Sequence, residues 1–466
     1  MGCFSPCAGS FRDPSGRVYS DGTVIHRTIQ KCYASQWEAV RRTGFLESAV
    51  ARGVLVPFKE VASSPLGADA WKVIESPLLP FISYPYEWSF GQLKDAALHT
   101  LDVQDEALKH GLVLRDATAY NIQFQGVCPL FIDLLSFDTW DKSKPWQAYL
   151  QFCKHFLAPL ALMAKCSTLC GKILASWIDG IPLDLAATLL PWSTRFTPSL
   201  AIHIHLHARM QAKYSDPRAA AQKISSINLS EKTIPNLIAS LRQSIESLHL
   251  PQSLSTEWGD YYTDTNYSET AANDKMQYLR NVATSLSSNH VLAVDLGANR
   301  AVYSEFLAET FTYVIALDID YLAVEHSYQG LKKKNSKNVL PLVVDLCNPS
   351  PGIGWNNEER LTLNKRCQAD YLSALALVHH LAFTGGIPLD RIAAAFADLT
   401  APCGLHVLEF VPHEDSQVQR LLAARNDVTV EYSMDACLKA FGVYFDLVER
   451  HNITDSKRTL LVWRKK

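Results

Sequence analysis

The 466-residue chain has no C-x-x-C pair among its eleven cysteines and no secretory leader, so it reads as a cytoplasmic protein with reduced thiols. Its first residues, MGCFSPCAGS, are too polar and short for a signal-peptide core, and Pro6 stands where an acylation motif usually has Ser or Thr. There is no long apolar run: FLAPLALMA (156–164) falls far short of the roughly 20 residues that span a bilayer. Charge of one sign is missing too. Lys and Arg number 44 against 47 acids, which argues against long nucleic acid as a partner. Internal repeats and low-complexity tracts are absent. What remains, with 48% hydrophobic and 20% charged residues, is a globular chain too long for one ordinary core, so two domains are expected.

The second half alternates strands and helices. VLAVDL (291–296), TYVIALDI (312–319), NVLPLVVDL (338–346), DYLSALAL (370–377) and LHVLEFV (405–411) are apolar runs of strand length. Between them lie helical patterns such as YLAVEHSYQGLKKK and LDRIAAAFADLT. That order predicts a parallel sheet with right-handed crossovers. YFDLVERHNI (444–453) and RTLLVWR (458–464) are expected to close it as an antiparallel hairpin at the edge. The first half predicts short strands followed by a helix, then a long amphipathic helix over 90–111, then mostly helix from 145 to 250. HLPQSLSTEW (249–258) serves as the linker, giving domains of 1–250 and 251–466.

VLAVDLGANRAVYSEF (291–306) opens like a nucleotide-binding turn, with Asp295 and Gly297 ending a strand, but Asn299 and Ala301 stand where further glycines are usual. A pyrophosphate asks for a glycine-rich turn with free N–H groups, whereas a ligand without phosphates needs less. Asp318 ends the second strand, twenty-three residues after Asp295, where an acid can accept from both hydroxyls of a ribose. Asp345 ends the third, where an acceptor can meet an adenine amine. Three acids at successive strand ends of a parallel sheet describe a site for a nucleoside bearing an amine, and S-adenosylmethionine fits. Its amino-acid part would lie over the Gly297 turn.

On DLGAN, ALDID, VVDL and the terminal hairpin, residues from about 255 to 466 resemble the class I S-adenosylmethionine-dependent methyltransferases. The resemblance implies an α/β, Rossmann-like seven-stranded sheet, that cofactor, and cofactor contacts from Asp295, Gly297, Asn299, Asp318 and Asp345. FRDPSGRVY, PFISYPYEWSFGQLKDAAL, PWQAYLQFCKHFLAPLALMA, GDYYTDTNYS, ALALVHHLAF and EFVPHEDSQVQRLL are similar, over nearly the whole chain, to bacterial methyltransferases of the nodulation-protein type. In similar enzymes the segment before the first strand folds over the cofactor as a lid, and here GDYYTDTNYSET offers Tyr261, Tyr262 and Tyr267, of which Tyr262 joins the cofactor set. The alternative is a polar linker with a helix cap at Ser268 or Thr270.

His379 and His380, just past the fourth strand, are the candidate catalytic pair. Methyl transfer needs alignment and a base for an oxygen or nitrogen acceptor. The other reading has one histidine capping the next helix while the second packs. Glu409 and His413 border the acceptor pocket or lie in a solvated loop. The acceptor expected is a small molecule or glycan-type group; the acceptor atom and oligomeric state stay open. A non-catalytic cofactor-binding scaffold or sensor is the alternative function.

In HGLVLRDATAYNIQFQGVCPLFIDLLSFD (110–138), Asp116 and Asn121 have D-x-x-x-x-N spacing and Asp133 follows an apolar strand. The stretch resembles the catalytic segment of protein-kinase-like and aminoglycoside-phosphotransferase-like folds, which implies metal ligation by Asn121 and Asp133 if the site is active. IDLLSF lacks the usual glycine, Arg27 stands where a lysine is sought, and Gly16 and Gly22 make no phosphate-covering loop. The expectation is therefore a mixed α+β, kinase-like domain that is degenerate, holding an acceptor or docking against the methyltransferase crevice, rather than a phosphotransferase making the protein bifunctional. His203, His205 and His207 are expected to pack or face solvent rather than bind metal. Cys166 and Cys170 are expected as buried thiols.

Overall fold

The computed structural model describes residues 4–61, 66, 70–213, 231–251, 268–286, 291–423 and 430–466. They divide into two compact units. The first holds Met1–Phe124, Pro129–Ser253 and Gly352–Leu361; the second holds Gln125–Cys128, Leu254–Pro351 and Thr362–Lys466.

The first unit begins with an antiparallel sheet of β1 (Ser5–Pro6), β2 (Gly16–Ser20), β3 (Val24–Gln30), β4 (Lys59–Val61) and β5 (Ala70–Pro77), in the order β1-β2-β3-β5-β4. Helices Ala34–Arg42 and Phe45–Ala51 connect β3 to β4 and bury Trp37, Val40, Phe45 and Leu46. The long helix runs Phe90–Lys109. Its start is fixed by a capping box in which Ser89 and Gln92 satisfy each other's backbone N–H. Two short ladders follow. β6 (Leu112–Leu114) pairs antiparallel with β9 (Phe137–Thr139), and β7 (Ile122–Gln125) pairs with β8 (Cys128–Phe131). Asp116 and Asn121 thus fall in the β6–β7 connection and Asp133 in the β8–β9 connection.

Beyond them the unit is helical. HIHLH lies on helical backbone, so its histidines do not line the side of a strand. His203 and His205 are buried, the first between Tyr149 (2.8 Å) and Ser240 (2.9 Å), the second against Thr194 (2.8 Å), as packing residues. Among the described residues no cluster of three or more His, Cys, Asp or Glu could hold a metal ion. The expectation for the cysteines is corrected: the helix ends at Lys165, and Cys166 beyond it is exposed while Cys170 is half-buried. No described helix is long and apolar enough to cross a membrane.

The second unit is built on β10 (Leu292–Leu296), β11 (Tyr313–Asp318), β12 (Val339–Val343), β13 (Ala369–Ala374), β14 (Thr400–Phe410), β15 (Phe445–Asn452) and β16 (Thr459–Lys465). Their order is β12-β11-β10-β13-β14-β16-β15. The first five are parallel, and β16 runs antiparallel between β14 and β15, so the expected parallel sheet and closing hairpin are both present. Every residue of β10, β11 and β12 is buried, as strands covered on both faces must be. The strand order reverses at β10, with β11 on one side and β13 on the other, which opens a crevice at their carboxyl ends.

Candidate cofactor and catalytic site

The turn after β10 answers the question its missing glycines raise. Gly297 (φ 71°), Asn299 (φ 47°) and Ala301 (φ 59°) all adopt left-handed backbone. Only Gly297 has no Cβ, and a Cβ there would meet Leu377 Cδ1 at 3.2 Å. Asn tolerates this region through its short polar side chain, while Ala301 bears a strain that the surrounding packing must hold. The N–H groups of Gly297 and Ala298 both donate to Leu317 O (2.8 and 3.0 Å), and Ala301 N donates to Ala298 O. Asn299 N donates to Asp318 Oδ2 at 2.7 Å. The amides of Gly297, Ala298, Asn299 and Ala301 are therefore spent inside the protein, and a pyrophosphate would have to displace them. This loop suits a ligand whose polar groups are donors rather than phosphate oxygens.

The strand-end acids differ in how they are held. Asp295 is fully buried and accepts from Ser304 Oγ and Ser373 Oγ, each at 2.8 Å. Its pKa is raised because burial outweighs both hydroxyls and the charge of Lys275. Asp318 accepts from two backbone N–H groups, those of Asn299 and Asp320, both at 2.7 Å. Burial pushes its pKa up to about 6 against the pull of those bonds. Neither carboxylate has a cation as a hydrogen-bond partner among these contacts. Asp345 is half-buried past the end of β12 and accepts from Cys347 N at 2.9 Å. The acids on β10 and β11 thus stand side by side, with Asp345 one strand further along the same edge. Tyr262, with the expected lid, lies outside the described residues. Ser268 does cap the helix that follows, Glu269–Thr284, through Ala271 N.

His379 and His380 follow β13, and their rings stand 4.1 Å apart. His379 is buried, and its Nδ1 has no hydrogen-bond partner among the described residues. Burial first, then the neighbouring His380 and Arg458, holds His379 well below its ordinary pKa. Burial and Arg458 lower His380 to about 4. Both are neutral imidazoles at neutral pH. His379 lies at the start of the helical turn His380–Thr384 without a side-chain cap bond, so the capping alternative finds no support there. Glu409 is wholly buried rather than in a solvated loop. It accepts from Lys275 Nζ (2.6 Å) and Arg458 Nη1 (3.3 Å), and Arg458 also holds Asp415 (2.8 Å). His413 packs on Phe383 and Tyr432.

Lys275 and Arg458 were not legible as site residues. Lys275 did leave a trace: in its helix it falls on the stripe with Ala271, Tyr278, Leu279 and Val282, where a charged residue needs a buried partner. Arg458 lies in the tight β15–β16 connection, and nothing in NITDSKR distinguishes it from a solvated charge.

In the first unit, Asp133 pairs with Arg27 Nη1 and also accepts from Ser136 Oγ. Asn121 Nδ2 donates to Asp116 O (3.4 Å) and Ser136 Oγ (3.5 Å). Asp116 is held above its usual pKa by burial and then by the charge of Asp133. The structure thus brings Asp116, Asn121 and Asp133 together around Ser136, with Arg27 included. Segment Gly352–Leu361 also belongs to this unit. Glu359 Oε1 accepts from Arg12 Nε at 2.6 Å, the Arg360 guanidinium lies 4.2 Å from the centre of the Tyr120 ring, and Leu361 N donates to the Tyr84 hydroxyl at 2.9 Å.

No family model matches the chain. It is 34% identical to the nodulation protein NoeA of Rhizobium meliloti (strain 1021) over 467 residues, spanning 98% of this chain and 96% of that one. Solved structures similar to part of it include the N-methyltransferase NodS from Bradyrhizobium japonicum WM9, at 13% identity and a TM-score of 0.33, covering 42% of this chain and 98% of that one. The magnesium protoporphyrin IX methyltransferase from Synechocystis PCC 6803 is 15% identical with a TM-score of 0.32, covering 45% of this chain and 92% of that one.

Proposed function

The chain belongs to the family of the nodulation protein NoeA, and on the geometry of its second unit we propose that it is an S-adenosylmethionine-dependent methyltransferase. The observation that carries this reading is the pairing of spent turn amides with carboxylates held by uncharged donors. Asp318 has its two oxygens on backbone N–H groups and room in its charge balance for ribose hydroxyls. Asp295 stands at the Gly297 turn for an ammonium group, and Asp345 lies on the adenine side. Such a set fits an aminoacyl nucleoside without phosphates. When bound, the cofactor supplies an electrophilic sulfonium methyl.

This chain's own part is to orient and to move a proton. The neutral pair His379 and His380 is suited to accept the proton of a hydroxyl or amine, and the partnerless Nδ1 of His379 is the atom best placed to take it. Burial first, then His380 and Arg458, keep that imidazole unprotonated and also make it a weaker base than an ordinary histidine. The acceptor we expect is a small molecule or glycan-type group. Incubation with radiolabelled cofactor and fractionated cell extract tests this. Label appearing on a small-molecule or glycan fraction supports it. Cofactor that binds but is never consumed would favour the sensor or scaffold alternative.

For the first unit we infer a kinase-like but non-catalytic role. The strand order β1-β2-β3-β5-β4, the helices after β3 and the two ladders around Asp116–Asn121 and Asp133 support the likeness. Arg27 answers the charge that a metal ion would need on Asp133. Segment Gly352–Leu361 packs against the β1–β2 loop at Gly9 and Arg12, the loop that would have to cover a triphosphate.

A further inference from the structure

The helical part of the first unit carries an apolar surface that its own core does not use. Trp192, Phe196, Ile202, Leu206 and Met210 are each between 44% and 69% exposed, and large apolar residues grouped on a surface mark a contact. The two aromatics stand on one short turn, Trp192–Phe196, with their rings 4.8 Å apart and edge to face. Three consecutive helical segments follow, Pro198–Leu200, Ala201–Leu206 and His207–Lys213. They bury Leu200, His203, Ile204 and Ala208 on one side and turn Ile202, Leu206, Arg209 and Met210 outwards on the other. Thr194, between the two aromatics, is hydrogen-bonded at 2.8 Å to His205, the neighbour of Leu206. The aromatic turn and the helical stripe therefore lie side by side.

The charge on this surface has one sign. From Leu185 to Lys213 the sequence holds no Asp or Glu. Arg195 and Arg209 are exposed and have no ion-pair partner among the described residues. Other exposed arginines of this unit do have one: Arg12 pairs with Glu359, Arg42 with Glu38 and Arg52 with Glu106. After burial, the charges of Arg195 and Arg209 hold His205 below its ordinary pKa, which puts both guanidiniums near the seam between turn and helix. The apolar side chains project from a turn and a helix rather than line a hollow, so what receives them must be flat or yielding. Apolar side chains with Trp among them, edged by cations, are what a helix lying in a bilayer interface presents.

We propose that this face docks the protein onto an anionic lipid surface. The five apolar side chains enter the boundary between headgroups and acyl chains, and Arg195 and Arg209 meet the headgroup charge. Docking of this kind lies on a bilayer and needs no helix able to cross one. It is independent of the cofactor reading, because all these residues belong to the first unit.

Flotation of the full chain with lipid vesicles tests this. The protein should float with vesicles of phosphatidylglycerol and phosphatidylcholine at low salt, and far less with phosphatidylcholine alone. Trp192→Ser with Phe196→Ser should lower the ratio of bound to free protein by about tenfold or more, since two aromatic side chains no longer enter the lipid. Arg195→Gln with Arg209→Gln should lower it by about twentyfold at low salt and by much less at high salt. All four side chains are exposed, so both variants should keep the wild-type circular dichroism spectrum. Wild-type protein that does not float with anionic vesicles overturns the proposal, as does equal flotation of wild type and both variants. Flotation as strong on phosphatidylcholine alone overturns it too, since the arginines would then be idle. A dimer seen by analytical ultracentrifugation without lipid, and lost in the aromatic variant, would give the face to a second copy of the chain instead.

Discussion

Both units carry aspartates in the connections at strand ends, and they differ in what answers the charge. In the second unit Asp295 accepts from two serine hydroxyls and Asp318 from two backbone amides, so each keeps a carboxylate that burial has made harder to ionise. In the first unit Asp133 carries the Arg27 guanidinium. A buried carboxylate held by neutral donors gains from a ligand that brings hydroxyls or a cation, whereas one already paired gains little and must first lose its partner. The same residue type in similar strand-end positions is thus left open to a ligand in one unit and tied up as a strut in the other.

The sharpest way to break this contrast is at Asp318. Asp318→Ala should weaken S-adenosylhomocysteine by about a hundredfold or more, since two charge-assisted bonds to ribose hydroxyls are lost. Calorimetry reads the affinity and circular dichroism the fold; unaltered affinity would remove the methyltransferase reading. Arg27→Met should destabilise the first unit by about 2–4 kcal/mol, because Asp133 is left partly buried without its cation. A denaturant midpoint equal to wild type would show the pair to be idle. The unaltered protein should gain no thermal stability from magnesium and ATP, and a magnesium-dependent shift that Asp133→Ala abolishes would make the first unit a working nucleotide site.

Gly297→Ala is expected to cost about 1–2 kcal/mol, as a Cβ enters left-handed backbone and crowds Leu377. Thermal unfolding measures it. The smallest effect is in pH. The folded pKa of Asp318, about 6, lies above its ordinary 3.8, so the native state holds this proton more tightly than the unfolded chain. Without ligand, this group's contribution to stability is therefore greatest below the ordinary value and is lost as pH rises through about 6. Hydroxyl donors favour the ionised form, so S-adenosylhomocysteine affinity should run the other way and decline below about pH 6. Asp318→Asn should flatten both slopes; a nucleoside affinity independent of pH from 5 to 7 would contradict the ribose role.

Much of the second unit was readable because its signal is one-dimensional. Apolar runs such as VLAVDL and YVIALD are buried on both faces, helices separate them, and their last residues must lie at one sheet edge. That alone put Asp295, Asp318 and Asp345 along a crevice. Local chemistry likewise offered a cap at Ser268 or Thr270, and Ser268 is the one whose hydroxyl satisfies a free amide of the helix. Cys166 misled because its spacing from Cys170 suits one helix, and the helix ends before either is reached.

What the tertiary structure alone decided is which charges meet. Lys275 and Glu409 are 134 positions apart, Arg458 and Glu409 49, and Arg27 and Asp133 106. No periodicity links such residues, since each pairing depends on how helices and hairpins come down on a sheet. Each also decides function, because burial makes an unanswered charge costly and an answered one inert. The sequence by itself determined the sheet, the turn at Gly297 and the row of acids. Folding determined which acids remain available to a ligand, and which lysine stands beside them.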